Sequence, residues 1–233
     1  MTTPPVGQDL LRATSPLRTP RAAALAGIVF SVLLITSLVL LEVATPTDPA
    51  DPGAWLTDSG RRTAVSVALN LIPFAGIAFL WFVGVIRDRI GRNEDRFFAT
   101  IFLGSGLLFV SMLFVAAAVA GGLIAIAGSR HPGSADPGTL ALGRNVTGAL
   151  LSVYSVRMEA VFAITTVTIA RRTKIVPRWL SLAGIATALV LLVGVSISVW
   201  VELLFPAWIL ALSLDILAAG RRESAGADTA ASE

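Results

Sequence analysis

Charged side chains set inside apolar runs are where this sequence could do chemistry. Arg157 and Glu159 stand two residues apart near the middle of one such run, and Asp215 stands inside another. An ionisable group at mid-membrane costs about 2.5–3.5 kcal/mol on insertion scales, so each calls for a partner or a purpose. At about 100° per residue a helix puts Arg157 and Glu159 on different faces. Arg157 shares its face with Tyr154, Ile164 and Thr168, whereas Glu159 shares its own with Ser152, Ser155 and Thr166, a polar stripe along the helix.

Depth suggests how these charges are met. Arg157 lies eleven residues into its apolar run and Asp215 twelve into its own, or roughly 17–18 Å each at 1.5 Å per residue. Equal depth predicts an Arg157–Asp215 ion pair that ties two helices together. The functional version of this pair has Arg157 anchoring an anionic substrate group that Asp215 displaces. No other basic residue lies at the depth of Glu159, so it shares Arg157, carries its proton or faces water. Its structural reading is a protonated carboxyl hydrogen-bonded to Asn70 or a facing serine; its functional reading is a proton relay. Glu42 and Glu202 fall near the outer ends of their runs, where water is at hand, and need no further role.

The elements that hold these residues follow from composition. The chain has 233 residues, 55% hydrophobic and only 14% charged, against about 25% charged in soluble domains. That excludes a soluble enzyme and a disordered chain. Six runs are long enough to cross about 30 Å of hydrocarbon as helices, the only open-ended form that pairs every backbone group there. They cover about 22–44, 63–86, 97–127, 146–170, 179–201 and 203–219, and the last two are joined so closely that they form a hairpin. The fold expected is all-α: a polytopic transmembrane bundle of six helices over 22–219, between flexible tails at 1–21 and 220–233.

Thirteen of the eighteen Lys and Arg residues fall on one side of these runs, four on the other, and Arg157 within. The positive-inside rule then makes both termini cytoplasmic. Trp81 and Trp179 at one edge, with Trp200 and Trp208 at the other, match the headgroup levels that amphipathic rings favour.

Three local patterns refine the picture. Pro20-Arg21-Ala22-Ala23-Ala24-Leu25-Ala26-Gly27-Ile28 aligns with Pro177-Arg178-Trp179-Leu180-Ser181-Leu182-Ala183-Gly184-Ile185 at six of nine positions, which suggests that spans one and two are copied as spans five and six. Pro73 sits inside the second span and should kink it, while Pro206 falls in the first turn of the sixth, where a missing N–H is harmless. Ala117 and Gly121 form a small-xxx-small pair that predicts close packing of the third span. His131 is a loop residue, and Asn145-Val146-Thr147 matches a glycosylation acceptor at the membrane edge.

Several chemistries have no carrier here. There is no cysteine, no His-Glu-x-x-His and no Gly-rich phosphate loop ending in Lys-Ser/Thr. Ser105, between two glycines, has no membrane histidine as a base. No cofactor or metal is called for. The basic residues form short clusters rather than a stripe, so nucleic acid is not an expected partner; the bilayer is, together with a homo-oligomer or another membrane protein.

The Pro177-Arg178-Trp179-Leu180 entry and the Phe205-Pro206-Ala207-Trp208 start resemble the C-terminal hairpin of small bacterial multi-pass membrane proteins classed as domains of unknown function. The likeness covers roughly the last 50 residues. It implies a bacterial cytoplasmic membrane and brings no catalytic or ligand residues. Three functions follow: a non-enzymatic membrane module that binds or scaffolds another membrane component, a small proton-coupled or anion-handling transporter using the midplane charges, or a membrane enzyme with Glu159 as general acid or base.

Overall fold

A computed structural model describes residues 20–45, 58–90, 96–128, 136–173, 176–194 and 199–230. The expected N-terminal tail up to residue 19, most of the loop after the first span and His131 lie outside them. The described chain is all-helical. Its elements are α1 (Pro20–Ala44), α2 (Ser59–Ile90), α3 (Arg96–Gly128), α4 (Pro137–Ala149), a π-helical stretch (Leu150–Ser155), α5 (Val156–Thr173), α6 (Arg178–Val193), a 3-10 turn (Val199–Leu203) and α7 (Leu204–Ala230). α4, the π stretch and α5 follow one another without a break and together form the fourth span.

Local chemistry accounts for the helix starts. Asp136 caps α4 by accepting from Thr139 N at 2.9 Å, with Pro137 in the first turn. Asp58 accepts from Gly60 N at 2.8 Å at the head of α2. Pro177 is extended and opens α6. The fourth span therefore begins at Pro137 rather than near Val146, because a cap and a proline outweigh the polar residues between them. α7 continues past Ala219 to Ala230, through alanines and a glutamate that favour helix.

Among the described residues five helices are long and apolar enough to cross a membrane, and α6 is a shorter apolar helix. Large apolar side chains are exposed all round the bundle, among them Phe74, Trp81, Trp179, Leu189 and Val193. Water would not tolerate so much bare apolar surface, and lipid tails do. The protein is a multi-pass integral membrane protein.

The helices close a ring: α1 packs on α2 and α7, α2 on α3, α3 on α4 and α5, α5 on α6, and α6 on α7. Aromatic rings fill its middle. Phe30, Phe79, Phe109, Phe162 and Phe205 come from five different helices and are all fully buried. Phe205 lies 5.3 Å from Phe109, 5.9 Å from Phe162, 6.0 Å from Phe79 and 6.2 Å from Phe30, centroid to centroid, mostly edge to face. Phe102 stacks on Phe162 at 4.7 Å.

Close helix approach is made by glycines other than the expected one. Nothing lies within 4 Å of a Cβ built on Gly121, so the Ala117/Gly121 pair packs no neighbour closely there. Gly27 instead admits Ser213 and Phe82, and Gly184 admits Val167 and Trp208. These two glycines occupy the same place in the sequence echo, and both face α7.

Candidate functional site

The aromatic layer serves as a ruler for depth. Arg21 is nine residues from Phe30, Arg87 eight from Phe79 and Arg171 nine from Phe162, which places a basic level about 12–14 Å from the layer on one side. Phe205, in the same layer, is only the second residue of α7. The sixth span runs from Trp200 to Arg222, so only the 3-10 turn stands beyond the layer on the far side. Trp208 agrees with the offset: its Nε1–H donates to Leu180 O at 3.2 Å, and its ring covers Gly184. The hairpin of α6 and α7 is short, since α6 ends at Val193 rather than near Val201.

That offset separates Arg157 from Asp215. Arg157 is five residues before Phe162 and Asp215 ten residues after Phe205, so about 22 Å of helix rise lies between them. They form no ion pair among the described residues. Asp215 sits at the depth of the basic level, where water is close. Arg157 is exposed on the outside of the bundle and donates from Nη1 to Val153 O at 2.7 Å, one turn nearer the far face. Tyr154 beside it is 55% exposed. Asn70 is also exposed and donates to Ser66 O at 2.7 Å within its own helix. Of the five candidates drawn from the sequence, Glu159 alone points into the bundle.

Beside the 3-10 turn lies a cavity of about 160 Å³. Its walls are the last two turns of α1, from Leu38 to Thr45, and the end of α4 with the π stretch, at Gly148, Leu151 and Ser152. Its floor is the 3-10 turn, at Trp200, Glu202 and Leu203. Ser152 Oγ donates to Glu202 Oε1 at 2.6 Å, and Glu202 is 7% exposed. Among the described residues no donor reaches the other oxygen of Glu202. Glu202 occupies the first turn of the 3-10 segment that leads into α7, where unpaired N–H groups and the helix dipole favour an acid.

Below this floor lies Glu159, 4% exposed. Ser155 Oγ stands 3.4 Å from its Oε1, and its Oε2 has no partner among the described residues. Asn70 is not that partner, because it is on the outer face. Glu159 and Glu202 are within electrostatic reach of each other, as are Glu202 and Glu42. Three carboxyl groups therefore descend from the far face to the aromatic layer, and no basic side chain among the described residues pairs with any of them.

Glu42, Glu202 and Ser152 were not legible as a site, because residue counting placed both acids at the water's edge. The available signal was the run Ser152, Ser155, Glu159, whose polar stripe needed a facing acid. The π stretch is the element that turns it: one wider turn carries Ser152 onto Glu202, and such turns recur at functional positions. Chemically the cavity offers two carboxyl groups, an indole ring and carbon, with the Ser152 proton already committed to Glu202. No group of three metal-ligating acids or histidines forms among the described residues.

Comparison with protein-family models, curated proteins and solved structures finds no match to this chain.

Proposed function

We propose that the protein is a non-enzymatic module of a bacterial cytoplasmic membrane that binds a positively charged group of another membrane component. Binding takes place in the cavity above the short hairpin. The carrying observation is Glu202: a carboxyl more than nine-tenths buried, on the cavity floor, with one oxygen lacking a donor among the described residues. A cavity lined by two carboxylates favours cations, since a buried carboxylate is costly until a cation or donor meets it. The excess of basic residues at the opposite level supports termini in the cytoplasm and a cavity that opens outward. The packed aromatic layer supports binding over conduction, because it fills the path below.

A carrier reading is favoured by one feature, the unpartnered oxygen of Glu159 beneath the cavity. It requires the aromatic layer to part during a transport cycle. Proton flux into proteoliposomes that stops with Glu159→Gln would establish it.

The absence of cysteine allows a direct test of charge preference. Leu41→Cys puts a thiol on the cavity wall, and Val43→Cys puts one on the opposite side of the same turn, 72% exposed. A trimethylammonium methanethiosulfonate and a sulfonate one are then applied to intact cells. A carboxylate about 8 Å away contributes roughly 1 kcal/mol at an effective dielectric near 40. The cation-to-anion rate ratio should therefore be about tenfold higher or more at position 41 than at position 43, and Glu202→Gln should lower it. Equal ratios at the two positions would end the proposal, and labelling only in inverted vesicles would reverse the orientation.

A further inference from the structure

We infer that the cavity takes an organic ammonium group carried on a small apolar body. This rests on the reading above that the cavity receives a cation, and names its class. Hard inorganic cations bind through a shell of oxygens, six to eight for calcium and a near-octahedral six for magnesium. The cavity offers two carboxylates, Glu42 and Glu202, and otherwise presents mostly carbon. Leu38, Val39, Leu151 and Leu203 would leave most of such a shell empty. An alkylammonium needs only one or two acceptors for its N–H groups and gains from carbon against its body.

Trp200 supplies the remaining element. It lines the cavity together with Glu202 and is 54% exposed. An aromatic face beside carboxylates is a recurring way to hold an organic cation, which the ring attracts through its quadrupole. Size agrees: about 160 Å³ is close to the volume of apolar cavities that hold a benzene molecule. The ammonium would meet the Glu202 carboxylate, with Glu42 as the second acid, and the apolar body would lie along α1 and the π stretch. Glu159 adds a further carboxyl within electrostatic reach of Glu202. The last turns of α1 and the end of α4 form the cavity's walls.

The test uses the full chain in nanodiscs of zwitterionic lipid, with benzylammonium chloride as the probe. Benzyl alcohol is its neutral counterpart, and sodium, potassium and calcium chlorides are the inorganic cations. Tryptophan fluorescence and the thermal unfolding midpoint are the readouts. The expected result is saturable benzylammonium binding with no saturable response to benzyl alcohol. Glu202→Gln should weaken it about tenfold, the loss of a charge-assisted hydrogen bond. Trp200→Leu should weaken it about threefold, the size of an exposed cation–π contact.

Equal response to benzyl alcohol would overturn the inference, since only the apolar body would then be recognised. Saturable binding of an inorganic cation without benzylammonium would overturn it too, and would leave the cation-receiving reading standing. No saturable response to any cation would remove both. If Glu202→Gln does not yield a folded protein, Glu42→Gln and Trp200→Leu decide: unchanged affinity in both refutes the assignment.

Discussion

Gly184→Ala is the sharpest perturbation the fold offers. A Cβ there would lie 2.6 Å from Val167 Cγ2 and 2.7 Å from two ring atoms of Trp208. Neither neighbour is a flexible tip. Val167 is buried on α5, and Trp208 is buried and fixed by its bond to Leu180 O. Overpacking of this kind costs about 1–3 kcal/mol, and displacing Trp208 adds roughly 0.5–1.5 kcal/mol for its hydrogen bond. A total near 2–4 kcal/mol is expected, opposed by the few tenths to one kcal/mol that alanine gains over glycine in a helix. Gly121→Ala is the control, with open space around it and only that gain. Equilibrium unfolding in mixed micelles, followed by tryptophan fluorescence, gives both values. If Gly184→Ala and Gly121→Ala change stability alike, the depth offset that starts α7 in the aromatic layer is wrong. The cavity would then fall with it.

Other substitutions probe separate parts of the bundle. A double-mutant cycle of Arg157→Ala and Asp215→Ala should show no coupling beyond about 0.3–0.5 kcal/mol, the usual limit for distant sites; stronger coupling would restore the ion pair. Glu159→Met should raise stability by about 1–3 kcal/mol, because it removes a buried oxygen without a partner; a loss of that size in the same unfolding assay would reveal a partner for the oxygen. Phe205→Ala should cost about 3–5 kcal/mol by opening a hole among four other rings, and a cost below about 1 kcal/mol would mean that the layer is not packed.

The architecture was readable in the sequence wherever it depends on composition. Apolar run length gave the helices, and Pro206 in a first turn gave a true start. The opposed faces of Arg157 and Glu159 followed from helical period alone, and the structure buries one and exposes the other. What was not readable depends on vertical offset. Residue counting assumes that each span sits at the same level, and the sixth has only a 3-10 turn beyond Phe205 on the far side. The same assumption placed Asp215 too deep and Glu202 too shallow. The π stretch was equally hidden, since no single residue between Leu150 and Ser155 dictates a wider turn.

The short hairpin also has a mechanical meaning for the bilayer. α6 has sixteen residues, about 24 Å of helix against roughly 30 Å of hydrocarbon. Its outward side is bare, with Leu182, Leu189 and Val193 all more than half exposed. A wall about 6 Å too low, in a ring whose other walls are tall enough, obliges the adjoining leaflet to thin or the protein to lean. Each ångström of mismatch costs a fraction of a kcal/mol, so the total amounts to a few kcal/mol. Membrane thickness thus acts on this protein through one flank. A thin bilayer suits α6 as built, and a thick one raises the mismatch along that flank.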